Sequence, residues 1–253
     1  MKSLEGKIAI ITGGGSGMGE AISKLFAEKG AKIVLADLNP ESLKKVCTDI
    51  EAKGYPALGI IADVSKNEDL ENLVAKTIST FGTIDILVNN AGILDSFMSV
   101  SELNLDLWQK VMAVNVKGPT ILSQLAICHW LANKKPGVII NMASVGGMFG
   151  ARGGVSYVTS KHAVIGLTKN IASVYREDHI RAVAVAPGDI KTNIGNTLKN
   201  PDKKGMQALT QYVATGPTGE ANDVAQVIAF LASDDARFVN GTIITVDGGW
   251  TGA

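Results

Sequence analysis

Cysteine and net charge are scarce in this sequence of 253 residues. Its two cysteines, Cys47 and Cys128, cannot build a disulfide framework, and they favour a reducing compartment. The 24 basic and 24 acidic side chains cancel to a formal charge of zero, whereas a dedicated nucleic-acid binder normally carries a basic excess. We therefore expect a cytoplasmic protein with no nucleic-acid partner.

Long apolar segments are missing as well. No apolar run reaches the roughly 20 residues that span a bilayer, and residues 1–7 lack the apolar stretch and cleavage site of an export signal. His129, His162 and His179 have no cysteine or acidic partner at a metal-binding spacing. The sequence thus predicts no membrane partner, no export signal and no metal.

Seven short apolar runs, rich in β-branched residues, alternate with stretches of helical periodicity. The runs are 8–11, 32–36, 57–61, 86–88, 138–140, 182–185 and 243–246. Because they are apolar on both faces, they predict buried parallel strands. Stripes such as Met18, Ile22, Leu25 and Phe26 predict amphipathic helices between them. The whole chain, 1–253, is therefore predicted to be one α/β domain, with a doubly wound parallel sheet and helices on both faces.

A glycine-rich turn follows the first predicted strand. It reads Thr12-Gly13-Gly14-Gly15-Ser16-Gly17-Met18-Gly19. Its G-x-x-x-G-x-G spacing differs from the common G-x-G-x-x-G fingerprint, and no Lys-Ser/Thr pair makes it a triphosphate loop. Glycines let a pyrophosphate approach the free amides at a helix N-terminus. We predict dinucleotide binding, with an ordinary tight turn as the alternative. The predicted contacts are Gly13, Ser16, Gly17, Met18 and Gly19.

Acidic residues follow the second and third predicted strands. Asp37 stands 18 residues after Gly19, where a carboxylate accepts hydrogen bonds from an adenosine ribose and repels a 2′-phosphate. Neither the turn nor the two residues after Asp37 hold an Arg or Lys for such a phosphate. The sequence therefore favours NAD (NADH) over NADP, with Leu38 as a further cofactor contact. Asp63 and Val64 are placed to meet the adenine, and helix capping is the alternative role for both aspartates.

The turn Asn89-Asn90-Ala91-Gly92 follows the fourth predicted strand, at the edge where open α/β sheets bind ligands. We therefore predict cofactor contacts at Asn90, Ala91 and Gly92, with a plain turn as the alternative. Ser144 follows the fifth strand at the same edge, and its hydroxyl is predicted to hold a substrate oxygen.

Tyr157 and Lys161 are spaced i, i+4 and share one face of a predicted helix. A free tyrosine is a poor base, since its pKa is about 10. A cation about 4 Å away contributes roughly 4 kcal/mol at an effective dielectric near 20, which corresponds to about three pKa units. We therefore expect Lys161, together with a positive nicotinamide ring, to lower the pKa of Tyr157 for proton transfer.

Together these motifs resemble the NAD(P)-dependent short-chain dehydrogenase/reductase family, in its form of this length. The resemblance covers the whole chain. It rests on Thr12-Gly13-x-x-x-Gly17-x-Gly19, Asn89-Asn90-Ala91-Gly92, Asn115, Ser144, Tyr157-x-x-x-Lys161, Pro187-Gly188 and Val246-Asp247-Gly248-Gly249. It implies a Rossmann fold with seven strands in the order 3-2-1-4-5-6-7, and a homotetramer with subunit contacts along 103–133 and 157–175.

The resemblance also implies a catalytic tetrad of Asn115, Ser144, Tyr157 and Lys161. Tyr157 would be the acid and base. Lys161 would lower its pKa and hold the nicotinamide ribose, and Ser144 would orient the carbonyl or hydroxyl. Asn115 would hold a water that passes protons from Lys161 to solvent.

The segment after the sixth predicted strand is polar and punctuated by glycine, which is typical of a lid or binding loop. We predict a substrate-binding lid at about 190–215 in the sequence, with a surface insertion as the alternative. The family positions the nicotinamide carboxamide with the start of this segment. That implies cofactor contacts at Pro187, Gly188, Ile190 and Thr192.

Apolar side chains occupy the segments that should surround the substrate. By position these are 94–98, 145–149 and the lid. Met and Phe suit apolar ligands, so we predict a small-molecule substrate that is a largely apolar secondary alcohol or ketone. The predicted substrate contacts are Phe97, Ser144, Met148 and Tyr157.

Two alternatives stay open beside an NAD(H)-dependent oxidoreductase that interconverts a secondary alcohol and a ketone. A 3-oxoacyl-carrier-protein reductase usually uses NADPH and needs basic residues near its entrance. Asp37 speaks against it, whereas Lys134-Lys135 and Lys203-Lys204 leave room for it. A non-catalytic cofactor-binding protein is the other, but such proteins often lose the tyrosine or lysine that this chain keeps.

Overall fold

The computed structural model describes residues 3–198, 200–212 and 216–252. Its strands are β1 (Ile8–Thr12), β2 (Lys32–Asp37), β3 (Ala57–Ile61), β4 (Ile86–Asn89), β5 (Gly137–Met142), β6 (Ile180–Pro187), β7 (Asp189–Lys191), β8 (Thr218–Glu220) and β9 (Ile243–Val246). Seven of them form a parallel sheet in the order β3-β2-β1-β4-β5-β6-β9. The predicted order 3-2-1-4-5-6-7 is confirmed, because β9 is the seventh strand of this sheet.

The helices are α1 (Gly17–Glu28), α2 (Pro40–Glu51), α3 (Asn67–Phe81), α4 (Leu105–Met112), α5 (Gly118–Asn133), α6 (Val155–Val174), α7 (Lys203–Tyr212) and α8 (Ala221–Ala232). One hydrophobic cluster joins α1, α2 and α8 to one face of the sheet. A second cluster joins α3, α5 and α6 to the other face. The chain is thus a single Rossmann-like domain with helices on both sides, as predicted.

Apolar periodicity explains which helix faces are buried. Ile22 and Phe26 lie one turn apart on α1 and pack in the first cluster. Leu73 and Trp130 pack in the second, where Trp130 Nε1 donates a hydrogen bond to the Ile84 carbonyl oxygen at 2.7 Å. Each such side chain contributes roughly 1.5–3 kcal/mol through burial. The two clusters hold the sheet rigid, so the residues at the strand ends are fixed relative to one another.

A π-helical turn, Ala113–Lys117, joins α4 to α5. The continuous helical stretch Leu105–Asn133 is long and apolar enough to cross a membrane by length and composition alone. Core helices of folded domains meet the same criterion, and 44% of the most apolar window of this stretch is buried inside the domain. The stretch packs on the sheet through Leu122 and Trp130.

The segment predicted as an irregular lid contains regular structure. It begins within β7, continues through a 3-10 turn at Asn193–Thr197, and includes α7. Asp202 stabilises the start of α7 by accepting hydrogen bonds from the N–H groups of Gly205 at 3.1 Å and Lys204 at 3.4 Å. The polar composition concealed this helix, because only a few of its residues are apolar. Residues 199 and 213–215 of the predicted lid lie outside the described ranges.

Candidate active site

The first turn of α1 forms a cradle suited to an anion. Ser16 stands at the helix N-cap, but its side chain makes no capping hydrogen bond, so the amides of the first turn stay available. Gly17 has φ +52°, and a Cβ there would lie 3.3 Å from the Cβ of Thr192. A Cβ at Gly19 would collide with the Gly13 carbonyl oxygen. Glycine at these positions permits the close backbone approach that a dinucleotide pyrophosphate requires.

Thr12 fixes this cradle to the end of β4. Its Oγ1 accepts hydrogen bonds from the N–H groups of Asn90 and Ala91, both at 3.0 Å. In return, Asn90 Nδ2 donates to the carbonyl oxygens of Thr12 at 2.9 Å and Gly13 at 3.3 Å. The two predicted turns therefore form one unit. Sequence reasoning gave Thr12 no role, although a polar residue at the end of a buried strand was the available signal.

Asp37 borders the cradle at the end of β2. Its Oδ2 accepts a hydrogen bond from the Gly15 N–H at 2.9 Å, and its Oδ1 accepts one from the Asn39 N–H at 3.0 Å. Asn39, not Asp37, caps α2 through its side chain. The alternative that Asp37 is a helix cap is thereby removed. Its neighbour Leu38 is exposed at the same edge.

Asp63 lies farther along the edge, after β3. Its Oδ1 accepts hydrogen bonds from Ser65 N at 2.9 Å and Ser65 Oγ at 2.6 Å. This arrangement forms the turn before α3 but does not cap the helix, whose N-cap is Lys66 without a side-chain cap. Contact of Asp63 and Val64 with an adenine stays a prediction.

Ser144, Tyr157 and Lys161 come together beyond the carboxyl end of β5, and all three are buried. Lys161 Nζ donates to the Met142 carbonyl oxygen at 2.7 Å and lies 5.6 Å from the centroid of the Tyr157 ring. A Cβ at Gly146 would lie 3.4 Å from both Ser144 Oγ and Tyr157 Cε1. The serine and tyrosine side chains therefore flank one point in space.

Asn115 lies in the π-helical turn and is buried. Its Oδ1 accepts from the Ile93 N–H at 2.9 Å, and its Nδ2 donates to the Ile93 carbonyl oxygen at 3.0 Å and to Ser160 Oγ at 3.1 Å. A Cβ at Gly92 would lie 3.4 Å from Asn115 Oδ1 and 3.5 Å from Lys161 Nζ. The side chain thus connects the segment after β4 to α6 beside Lys161. π-helical turns are frequent at functional sites, and the predicted water-holding role stays a prediction.

Asp95 is a positioning residue that sequence reasoning missed. It is fully buried after β4, and its carboxylate accepts hydrogen bonds from the N–H groups of Gly154 at 2.9 Å and Tyr157 at 3.0 Å. It therefore caps the turn of α6 that carries Tyr157. No local pattern signals this role, because Asp95 lies 59 and 62 residues from its two partners.

Burial dominates the protonation of Tyr157 and Lys161. Burial raises the pKa of Tyr157 above its ordinary value; the hydrogen bond with Ser144 lowers it, and the charge of Asp95 raises it. Burial also lowers the pKa of Lys161 to about 8. The expected lowering of the Tyr157 pKa does not occur in the chain by itself, because loss of hydration destabilises the phenolate more than its surroundings stabilise it. The combined effect of Lys161 and a nicotinamide ring stays a prediction.

A cavity of about 400 Å³ opens beside Ser144 and Tyr157. Seven predicted cofactor residues apart from Tyr157 and Lys161 line it: Met18, Asn90, Gly92, Pro187, Gly188, Ile190 and Thr192. Its remaining wall is mostly apolar and includes Leu94, Phe97, Ile194, Leu209 and Trp250. Phe97 therefore lies where a substrate contact was predicted. Met148 does not line the cavity and is 38% exposed, so its contact with substrate stays a prediction.

Within the described ranges, no group of three or more His, Cys, Asp or Glu side chains is arranged to hold a metal ion. His129, one of the three histidines, lies 3.1 Å from Thr83 Oγ1 through its Nε2. His162 Nδ1 lies 2.8 Å from the Val158 carbonyl oxygen within its own helix.

Known proteins resemble this chain over nearly its full length. A family model described as enoyl-(acyl carrier protein) reductase matches residues 13–251. The 3β-hydroxysteroid dehydrogenase 2 of Eggerthella lenta is 41% identical over 98% of this chain and 96% of its own length. A 3-oxoacyl-(acyl-carrier-protein) reductase of Thermotoga maritima is 38% identical over 97% and 98%. The crystal structure of levodione reductase has a TM-score of 0.90 and 34% identity, covering 99% of both chains.

The doubly wound sheet, the glycine cradle and the buried Ser-Tyr-Lys set define a nicotinamide-dependent oxidoreductase. The chain belongs to the short-chain dehydrogenase/reductase family. It is an alcohol dehydrogenase or ketone reductase of that family and acts on CH–OH groups.

Proposed function

We propose that the chain is an NAD(H)-dependent dehydrogenase of largely apolar secondary alcohols and the corresponding ketones. The observation that carries this proposal is the cavity of about 400 Å³ with its mostly apolar wall next to Ser144 and Tyr157. Cavities of roughly 300–1,000 Å³ hold drug-sized ligands, and this one would be shared by the substrate and the nicotinamide, since predicted cofactor residues line part of it. The hydroxysteroid dehydrogenase among the relatives supports a bulky ring system as the substrate.

The residues around α1 fit a dinucleotide. The uncapped amides of the first turn would hold its pyrophosphate, and Asp37 would hold the adenosine ribose. Thr192, against Gly17, would close over the cofactor. The nicotinamide, when bound, supplies or accepts the hydride.

Tyr157 is the proposed acid in ketone reduction. Its hydroxyl donates a proton to the substrate oxygen while the Ser144 hydroxyl donates a hydrogen bond to the same oxygen. Because burial raises the pKa of Tyr157, the proton is in place at neutral pH. The chain alone therefore holds Tyr157 in the protonated form that ketone reduction requires.

Lys161 is the proposed partner of Tyr157 in alcohol oxidation, where Tyr157 must accept a proton. The hydrogen bond from Nζ to the Met142 carbonyl oxygen holds the ammonium beside the phenol ring. Below its pKa of about 8 the ammonium is charged and stabilises a phenolate through the low-dielectric interior. Oxidation is therefore expected to depend more steeply on pH than reduction.

The test is NADH and NADPH oxidation by the purified protein with a panel of ketones. The panel holds a 3-oxosteroid, a cyclohexanone, an aryl ketone, a free ketose and a 3-oxoacyl thioester. We expect NADH-linked turnover of the apolar ketones. Strong activity on the sugar with none on the apolar ketones would overturn the substrate class.

The same panel separates the two rival functions. NADPH-linked turnover of the thioester would identify a 3-oxoacyl-carrier-protein reductase, in line with the Thermotoga maritima relative. Tight NADH binding with no turnover of any ketone would support a non-catalytic cofactor-binding protein.

We also propose a homotetramer. Apolar side chains stay exposed on the helices that the family uses for subunit contacts, including Leu105 on α4, Leu131 on α5 and Val174 on α6. Burial of such side chains between subunits would stabilise the assembly. Static light scattering is expected to give four times the mass of the 26.4 kDa chain, and a monomer mass would contradict the proposal.

A further inference from the structure

Arg152 carries a positive charge into the apolar part of the substrate cavity. It precedes α6 and lines the cavity with Tyr157 and Trp250. Its backbone lies close to the reacting groups, since a Cβ at Gly146 would be 2.9 Å from the Arg152 carbonyl oxygen and 3.4 Å from Ser144 Oγ. The side chain therefore starts near the catalytic serine and extends along the cavity wall.

Two aromatic rings hold the guanidinium in place. Its Cζ lies 4.7 Å from the centroid of the Phe149 ring and 5.2 Å from that of the Trp250 ring. Cation–π contacts at such distances contribute roughly 0.5–2 kcal/mol each and fix the plane of an arginine. The guanidinium is thus pre-oriented, which reduces the entropy lost when it binds a ligand.

The guanidinium makes few hydrogen bonds to the rest of the protein. Arg152 Nε is buried and has no hydrogen-bond partner, and it is the one such side-chain atom within the described ranges. Nη1 reaches the Gly150 carbonyl oxygen only at 3.5 Å. No carboxylate in the described part of the chain forms a salt bridge with it.

Unused donors on a cation are costly at a partly buried position. A guanidinium stays charged at all physiological pH values, and a buried donor without an acceptor costs about 1–3 kcal/mol. Arg181 shows the usual solution, since its Nη atoms donate to the carbonyl oxygens of Val239 at 3.0 Å and Leu231 at 2.9 Å. A carboxylate accepts two parallel N–H bonds from an arginine and would satisfy Arg152 equally well.

We propose that Arg152 binds a carboxylate on the substrate, remote from the carbon that reacts. The substrate is then an apolar secondary alcohol or ketone with one anionic group at its far end. This inference rests on the proposed function, because it places the anion in the same cavity. It narrows the substrate class from apolar molecules in general to apolar acids.

The experiment compares two ligands that differ in one charge, 3-oxocholan-24-oate and its methyl ester. Dissociation constants are measured by calorimetry with saturating NAD⁺, since the ketone cannot be reduced under these conditions. Steady-state KM and kcat with NADH are measured in parallel. The proteins are wild type, Arg152→Met, Arg152→Lys and the matched control Arg237→Met, which removes an arginine at the opposite end of the sheet.

We expect the wild-type protein to bind the acid roughly 10- to 100-fold more tightly than the ester, because a charge-assisted pair is lost in the ester. In Arg152→Met this ratio is expected to fall toward one. Arg152→Lys should restore part of the preference, since it keeps the charge without the planar fork. Arg237→Met should keep the wild-type ratio. Thermal melts of each variant verify that it is folded.

Equal binding of acid and ester by the wild-type protein, or binding of neither, would overturn the inference. So would an equal loss of both ligands in Arg152→Met together with a lower melting temperature, which would assign Arg152 a structural role. The two proposals fail separately. Turnover without a preference for the acid retains the proposed function alone, whereas an Arg152-dependent preference without any turnover retains the inference alone.

Discussion

The two ends of the parallel sheet each carry a cavity, and the smaller one holds the candidate site. The cavity at the carboxyl ends measures about 400 Å³, and the one at the amino ends about 630 Å³. At the amino ends, Arg181 donates to backbone carbonyl oxygens and Asp85 accepts from the Ile8 N–H at 2.8 Å. At the carboxyl ends, the first turn of α1 has no side-chain cap and Arg152 Nε has no partner.

The difference shows that volume does not identify a functional site. At the amino ends, Arg181 and Asp85 use their polar atoms in hydrogen bonds that connect the strands to neighbouring segments. At the carboxyl ends most polar side chains are hydrogen-bonded within the fold as well, but the first-turn amides of α1 have no side-chain cap and Arg152 Nε has no partner. Leaving these groups available carries a cost in stability that a ligand can recover. Four substitutions test this contrast, each with a partner at the opposite end or at a neutral position.

Tyr157→Phe is expected to have the largest effect. Turnover should fall roughly 10²- to 10⁴-fold, since the substitution removes the proton donor, whereas NADH binding measured by fluorescence should persist. Tyr175→Phe, at the other end of α6, serves as the control and should retain wild-type turnover. If Tyr157→Phe kept more than a tenth of the activity, Tyr157 would not be the acid.

Lys161→Met is expected to stabilise the fold while it abolishes turnover. Burial lowers the Lys161 pKa from 10.5 to about 8, so the folded chain binds this proton less well than the unfolded chain does. Between about pH 8 and pH 10.5 the unfolded state binds more protons than the folded state. The free energy of unfolding of the wild-type protein therefore rises with pH in this range. At pH 7 relief of this penalty should contribute up to about 3 kcal/mol, partly offset because the Met142 carbonyl oxygen loses its donor, and the pH-dependent gain should vanish near pH 10.5.

Arg181→Met, at the amino ends, should have the opposite sign. It leaves the carbonyl oxygens of Val239 and Leu231 without their donors, and we expect a loss of about 1–3 kcal/mol. Urea denaturation of both variants and the wild-type protein measures the two changes in the free energy of unfolding. Destabilisation by both substitutions would show that Lys161 is satisfied by the fold, as Arg181 is.

Asp37→Ser is expected to shift cofactor preference. Removing the carboxylate beside the cradle removes repulsion of a 2′-phosphate, so the kcat/KM ratio of NADPH to NADH should rise roughly tenfold. Asp234→Ser, at the amino-end cavity, should leave the ratio unchanged. A preference for NADPH in the wild-type protein would contradict the proposed role of Asp37.

Asp202→Ala is expected to have the smallest effect. Asp202 accepts hydrogen bonds from the N–H groups of Ser99 at 3.0 Å and Gly205 at 3.1 Å, and its own N–H donates to the Ser96 carbonyl oxygen. It therefore joins the start of α7 to the segment after β4. Loss of this connection should raise KM severalfold and change kcat less. Asp106→Ala, at the first turn of α4, is the control, and equal KM values for the two variants would refute the connection.

The spacing of apolar residues along the chain was sufficient to predict the strands and helices in which that spacing is regular. The apolar runs predicted seven parallel strands, and the stripe through Ile22 and Phe26 predicted α1, because burial on a sheet imposes those periods. The spacing of Tyr157 and Lys161 placed both on one helix face for the same reason. The strand order came from the family resemblance and is confirmed by the pairing of β6 with β9.

Local sequence patterns did not predict the roles of residues whose hydrogen-bond partners lie far away in the chain. Asp95 caps α6 although it lies about 60 residues earlier in the chain. Thr12 accepts hydrogen bonds from the turn after β4, whose donors lie 78 and 79 residues later. Helix α7 escaped prediction because few of its residues are apolar, and its start is stabilised by Asp202. Met148 was assigned to the pocket by its position in the chain; it is not among the residues that line the cavity, and its contact with substrate stays a prediction.

The sequence by itself determined the fold class and predicted the phosphate cradle and the reacting groups, because the residues of each pattern lie close together in the chain. Only the tertiary structure decided how deeply those groups are buried and in which direction their pKa values shift. Burial, which depends on every packed neighbour, sets the directions in which the Tyr157 and Lys161 pKa values shift in the chain by itself, which their spacing does not specify. The tertiary structure also places the Arg152 guanidinium between two rings and leaves its Nε without an acceptor, which no linear pattern specifies.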